Sequence, residues 1–340
     1  MVLAEFGDTR HSAYPDDPET GAQTFDGPMH HTIPKPNRAK DNSTLWSSND
    51  NRSYFEDMYF NRMKSFYKDQ SGGVYSIGGD VTAWVKVPFD EARYGRNSCG
   101  SNVCTNTWFL IRDALAQWAQ NRLDAGWTMQ RIQTYLKTFD HQDRYDFDGD
   151  GNFNEPDGYI DHFQIVHAGG DEADGDPTFG EDAIWSHHWN AQIEPFGTGP
   201  EGGAPIGGVN VGEGGPSDGG AVQIPDNPTG VWVNDYTIQP EIGGLSVFAH
   251  EFAHDLGLPD LYDTSGNSGG AENSVGFWSL MSQSRGTAAS DPGIGDPPMP
   301  FGAWEKFQLG WLDYDVARAG RPAPTRSGRV SPSAARGPTA

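Results

Sequence analysis

The residues best placed to do chemistry lie in FAHEFAHDLGLPDLYD, Phe248 to Asp263. Two histidines, His250 and His254, stand four residues apart, with Glu251 directly after the first. Leu245, Phe248, Ala249, Phe252 and Leu256 recur at three- and four-residue steps, the period of an amphipathic helix. On a helix, positions i and i+4 share a face, so both imidazoles can aim at one point, about 2.0–2.1 Å from a zinc ion. Glu251 projects to a neighbouring side. It cannot join the two ligands, but it can reach a water bound to the ion, which gives H-E-x-x-H two ligands and a general base. Such an ion polarises a carbonyl and brings the pKa of its water to about 7, while the glutamate carries a proton to a leaving amine. The plainer alternative is a core helix that happens to hold two histidines.

The residues that follow favour the chemical reading. The run continues as H-E-x-x-H-x-x-G-x-x-D. Gly257 can take the left-handed conformation that ends a helix and turns the chain, bringing Asp260 back as a third ligand. Two imidazoles and one carboxylate leave a position open for water and substrate. Asp260 stands where the longer zinc motif usually has a third histidine. A competing third ligand is Glu272, as a carboxylate supplied by a later helix, although its context SGNSGGAENS is poor helix. Further on, VGFWSLMSQS places Met281 in a tight apolar segment. A lone methionine is ordinary core filler; after a zinc motif it marks a methionine turn beneath the ion.

A second constellation is DFDGDGNFNEPD, residues 146–157. Asp146, Asp148 and Asp150 occupy positions 1, 3 and 5 of a twelve-position calcium loop, with Gly151 at 6. Asn152 offers its carbonyl at 7, Asn154 falls at 9 and Asp157 at 12. Like charges this close repel unless a cation joins them. Asp in place of Glu at position 12 implies weaker binding, adequate where calcium is millimolar. Pro156 and the strand expected next argue against a helix–loop–helix hand. A looser acidic loop, GGDEADGDPTFGED (169–182), reads equally as a solvated loop or a cation site. His162, His167, His187 and His188 lie on or near expected strands and receive no role.

These groups need elements to position them. Helices are expected over 54–73, about 105–124, about 127–138 and 300–312, from their apolar periodicity. Strands are expected in 158–169, 182–190 and 230–241, and as a pair around the Gly-Gly-Asp of 78–80. Residues 1–50, polar and rich in Pro, Asn and His, read as an extended loop on the body. Residues 196–220 hold eleven glycines and read as a long surface loop. No internal repeat is visible.

Composition bounds the partners. In 340 residues, 23 Lys and Arg against 47 Asp and Glu give a formal charge of −24. That excludes a basic footprint for nucleic acid or anionic lipid and fits a secreted protein, or one that gathers carboxylates around cations such as Ca²⁺. Hydrophobic content is low at 35%, offset by 11 Trp, 12 Tyr and 18 Phe, which bury large areas. No run approaches the roughly 18 apolar residues of a membrane span. The N-terminus MVLAEFGDTRHS lacks the pattern of a signal peptide. Cys99 and Cys104 are too few for a disulfide scaffold and are not spaced as C-x-x-C; they form either a small closed loop or two free thiols.

HEFAHDLGLPDLYDT, then NSVGFWSLMS and PFGAWEKFQLGWLDYDVA, resemble the immune inhibitor A family of secreted bacterial metalloproteases. EFGD, GPMHHTIPKP and DFDGDGNFNEPDGYIDHFQIVHAG are also similar to that family's catalytic domain, so the likeness covers roughly residues 4–319. The resemblance implies an α+β, loop-rich, zincin or metzincin-like fold: a mixed twisted sheet, an active-site helix, a Met-turn at Met281 and a cleft between two subdomains. It implies an extracellular endopeptidase acting on protein or peptide substrates, with Zn²⁺ on His250, His254 and Asp260 and with Glu251 as base. A monomer stabilised by Ca²⁺ is expected. The expected division is a catalytic domain over 1–319 and a disordered Arg/Pro/Ala tail over 320–340, where the sequence departs from the family. The alternatives from other classes are a calcium-dependent surface-binding module with a structural zinc site, and a truncated, inactive fragment. The intact glutamate of H-E-x-x-H speaks against a merely structural zinc.

Overall fold

The computed structural model of the chain describes residues 1–15, 26–37, 39–40, 45–176, 178–265, 275–282 and 297–314. The first strand, β1 (Val2–Glu5), is followed by a helical rod in which α1 (Arg52–Asp57) and α2 (Lys64–Gln70) are joined by a π-helical segment, Met58–Met63. Next come β2 (Trp84–Lys86), α3 (Ala92–Gly95), α4 (Thr107–Asp124), α5 (Met129–Leu136), β3 (Gln164–His167) and β4 (His187–Asn190). Short pairs β5 (Val209–Asn210) with β8 (Trp232–Val233), and β6 (Gly215–Ser217) with β7 (Val222–Ile224), lead to β9 (Asp235–Pro240), α6 (Leu245–Asp255) and α7 (Ala303–Gln308).

Five strands form one mixed sheet in the order β2-β1-β3-β9-β4. The first four are parallel, with Leu3 beside Val166 and Ile165 beside Ile238. The last, β4, runs antiparallel along β9, with His188 beside Thr237, and forms an edge. Both faces of the sheet are covered, as parallel strands require. Strand residues alternate between two cores. Val2, Ala4 and Ile165 face α4 and α5, whereas Leu3 and Val166 face the helical rod and α6.

The sequence misplaced two regions. Residues 1–50 are not all loop: β1 lies at the heart of the sheet and is fully buried in its middle. The expected strand pair around 78–80 reduces to β2 alone. Asp80 does not turn the chain back; its carboxylate accepts from Val81 N–H and pairs with Arg52 of the rod. Ile77 reaches the core from irregular backbone. The glycine-rich stretch carries β5 and β6 but little else. The tail after 314 lies outside the described residues.

Helix α6 is held by aromatic packing. Phe248 meets Tyr59 and Phe55 of the rod at 5.4 and 6.3 Å between ring centres, and Phe252 meets Tyr67 at 5.1 Å. The buried Tyr67 hydroxyl donates to Ala249 O at 2.6 Å. Truncating Phe248 to Ala would cost about 3–5 kcal/mol, because such a core cannot close the cavity.

Candidate metal centre and cleft

The face of α6 away from these aromatics carries the zinc motif. His250 Nε2 and His254 Nε2 lie 3.1 Å apart, and Asp260 Oδ1 is 3.2 Å from each. Three donors at nearly equal spacing match one face of a tetrahedron around an ion at about 2 Å, whose edge is about 3.3 Å. The tautomers are fixed: His250 Nδ1–H donates to Leu280 O at 2.8 Å and His254 Nδ1–H to Leu258 O at 2.7 Å. Each Nε2 therefore faces the shared point, the second-sphere arrangement that metal-binding histidines use. The donor set and its spacing fit zinc.

Asp260 reaches this point through a Schellman turn. Gly257, at φ +90°, donates to His254 O at 2.8 Å, and Leu258 N–H donates to Ala253 O at 3.0 Å. The buried Leu258 then packs into the core, and Leu261 N–H donates to Met281 O at 2.6 Å. Burial works to raise the Asp260 carboxyl, but the two imidazoles overcome it and hold it far below the usual range. The same contact pushes His254 up to about 9 against the opposing effect of burial. Glu251 is 7% exposed, and burial raises its carboxyl above the ordinary value. Met281 is fully buried below the helix, its neighbour Leu280 supplying the carbonyl that orients His250. Glu272 lies outside the described residues.

His250, Glu251, His254 and Asp260 open into a cleft of about 700 Å³. Its far wall includes Trp185 to His188, at the start of edge strand β4, and Val103. Asp171 braces that wall: its carboxylate accepts from Ser186 N–H at 3.1 Å, from the Ser186 hydroxyl and from Ala173 N–H. Cys99 and Cys104 are joined in a disulfide, Cα atoms 5.8 Å apart, closing the loop that presents Val103. Tyr262 also lines the cleft and stacks at 6.5 Å on His250. Sequence reasoning named none of Asp171, Ser186, Val103 or Tyr262, and nothing in their local spacing marks them.

The acidic loop is drawn together in part. Asp146, Asp148 and Asp150 offer oxygens within 4.8 Å of one another, as do Asp143, Asp148 and Glu155. Backbone donors shape the loop: Gly151 N–H to Asp146 at 2.9 Å, Asp150 N–H to Asp148 at 3.0 Å, Asn152 N–H to Asp150 at 2.7 Å. Asp157 belongs to neither group; its carboxylate accepts from Tyr159 N–H at 2.9 Å. Asp143 and Glu155 lie outside the positions the twelve-residue pattern singles out.

Of the histidines left without a role, the buried His167 and the half-buried His187 of the cleft wall are each pushed down to about 4 by desolvation, so they stay neutral. His162 and His188 instead flank a charged cluster behind the centre. His162 Nδ1 meets Asp255 Oδ2 at 2.7 Å, and His188 Nε2 lies 3.8 Å from Asp235 and 3.9 Å from Asp255.

Two imidazoles and a carboxylate on one helix and its exit turn, beside a buried glutamate in an open cleft, define the site of a metal-dependent hydrolase. The chain belongs to the immune inhibitor A peptidase M6 family, whose catalytic-domain profile matches residues 1–312. It is 38% identical over 248 residues to the pre-pro-metalloprotease PrtV of Vibrio cholerae serotype O1, which covers 73% of this chain and 23% of that protein. It is 34% identical over 259 residues to immune inhibitor A of Bacillus thuringiensis subsp. alesti, covering 72% and 33%. The chain thus spans a quarter to a third of the length of these curated relatives.

Proposed function

We propose that this chain is the catalytic domain of a zinc-dependent endopeptidase that hydrolyses peptide bonds in proteins outside the cell and is stabilised by calcium. The observation that carries this reading is the set of three donors, 3.1–3.2 Å apart, next to Glu251. His250, His254 and Asp260 would hold the zinc. When bound, it supplies Lewis-acid polarisation of the scissile carbonyl and lowers the pKa of water. Glu251 accepts a proton from the attacking water on a carboxylate oxygen and delivers it to the leaving amine nitrogen. Its burial raises its carboxyl above the ordinary value, so it takes up a proton more readily than an exposed carboxylate. Among the described residues, edge strand β4 has no strand on its outer side, and an extended peptide can add to it and lie across the cleft. Met281 forms the Met-turn of a metzincin-like centre, tied to His250 through Leu280.

Calcium would bind the acidic loop through Asp146, Asp148 and Asp150, with the Asn152 carbonyl; Asp157, Glu155 and Asp143 compete to complete the shell. The disulfide and the −24 charge favour an oxidising, calcium-rich exterior. The domain extends to about residue 319, a little past the family match, and acts as a monomer. Glu251→Gln tests the mechanism. The variant should keep its zinc by metal analysis while casein hydrolysis falls about 10²–10⁴-fold. Full activity in that variant would sink the proposal, and a zinc-loaded but wholly inactive wild type would favour the binding-module alternative.

A further inference from the structure

Arg144 joins the acidic loop to the zinc-motif helix. It sits next to Asp143, whose carboxylate accepts from Tyr145 N–H at 3.2 Å and Phe147 N–H at 2.8 Å and belongs to one of the cation-spaced groups. From there the guanidinium crosses to the C-terminus of α6. Nη2–H donates to Asp255 O at 2.5 Å and Nη1–H to Asp255 Oδ1 at 3.0 Å, with a further short bond to Asp235.

The last four carbonyls of a helix have no partner within it. In α6 those of Phe252, Ala253 and His254 are taken by the exit turn, from Leu256, Leu258 and Gly257 N–H. The fourth, on Asp255, is taken by Arg144. An acid at a helix C-terminus also opposes the helix dipole and calls for a cation there. Arg144 thus fixes the point at which α6 stops, one residue after His254 and five before Asp260. Asp255 is 2% exposed, with its other oxygen on His162, so the clamp is shielded from salt and water.

His188, Asp235 and Asp255 are also close enough to hold a metal. Arg144 already donates to both carboxylates and supplies the positive charge, so this is an ion-pair network rather than a second metal site.

We propose that Arg144 is a positioning residue that transmits calcium occupancy of the acidic loop to the zinc centre. Calcium neutralises Asp143, Asp146, Asp148, Asp150 and Glu155, and so fixes the backbone that aims Arg144. Without calcium, repulsion opens the loop, the clamp on Asp255 slackens, and the turn carrying Asp260 loses its register. This rests on the calcium reading given above.

The test measures zinc removal by a zinc-selective chromophoric chelator, with and without calcium chloride, alongside calorimetric calcium titration. In the wild type calcium should slow zinc loss about tenfold, the lower range for groups that orient metal ligands. Arg144→Gln should still bind calcium, yet calcium should no longer change its zinc release. Arg144→Lys, which keeps the charge but not the fork, should fall between and serves if the Gln variant folds poorly. A purely structural arginine would lower thermal stability and leave the calcium effect intact, overturning the coupling. Calcium binding without any effect on wild-type zinc release overturns the coupling alone; no calcium binding by the wild type overturns both it and the calcium reading.

Discussion

The zinc-motif helix and the acidic loop both bring carboxylates together, but they are held in opposite ways. His250, His254 and Asp260 are each anchored from behind: the imidazoles on Leu280 and Leu258 carbonyls, Asp260 on a capped turn, the helix on a buried aromatic core. In the loop, Asp146, Asp148 and Asp150 accept, among the described residues, from backbone N–H groups of the loop itself, and the latter two are exposed. On the proposed reading the first site would be formed before an ion arrives, whereas the second would need one to hold its shape. A preorganised site should lose affinity sharply and locally when a ligand is cut. An ion-dependent loop should lose stability, and little chemistry directly.

The largest effect is expected at the helix. Asp260→Ala should weaken zinc binding about 100-fold or more, beyond the range for groups that only orient ligands, while Glu272→Ala should leave it unchanged. Equilibrium dialysis giving the reverse order would move the third ligand to Glu272.

A middle-sized effect belongs to the loop. Calcium at a hundredfold excess over its dissociation constant should stabilise the wild type by about 2.7 kcal/mol. The double variant Asp148→Asn/Asp150→Asn should lose that gain in thermal unfolding. Running Asp157→Asn beside Glu155→Gln identifies the residue that closes the shell, because only that one should weaken the calcium response. If the double variant still responds in full, calcium binds elsewhere and the contrast between the two regions fails.

The smallest effect comes from a carboxylate that has neither kind of support. Glu241, 4% exposed just after β9, is pushed up to about 9 by burial first and then by Asp50 and Glu5, against the opposing His31 N–H bond. The folded chain keeps its proton where the unfolded chain has released it. Stability contributed by the protonated group is therefore lost as pH climbs from the ordinary carboxyl range through about 9. Glu241→Gln should remove that loss, by on the order of 1 kcal/mol at high pH, the low end for a poorly satisfied buried group. Urea unfolding at pH 6 and pH 9 would check it; parallel losses in both proteins would show that Glu241 is ionised at no cost.

The contrast also explains what the sequence could disclose. The gathering of His250, His254 and Asp260 was legible because they share one helix and its exit turn, so spacing in the chain is spacing in space. The alternating aspartates of 146–150 were legible for the same reason. Arg144 was not, because its partners Asp235 and Asp255 are 91 and 111 residues away. Only the odd placement of an acid at the end of α6 hinted that a cation must come to meet it. The cleft wall was equally hidden: Asp171 and Val103 reach the site only through the packing of β4 and a disulfide loop. Strand β1 was lost by averaging, since four apolar-leaning residues preceded a long polar stretch that set the reading for the whole segment.

One consequence of the turn at Gly257 concerns length rather than chemistry. The stretch from His254 to Asp260 acts as a ruler: the helix fixes one end, the left-handed glycine sets the bend, and the remaining residues reach back to the two imidazoles with none to spare. Side chains along it can vary where they face solvent, but its residue count cannot. Inserting or deleting one residue between Asp255 and Asp260 would shift the carboxylate by about 3.3–3.6 Å along an extended path, as far as the separation of the donors themselves, and would undo the site without altering any group that takes part in it.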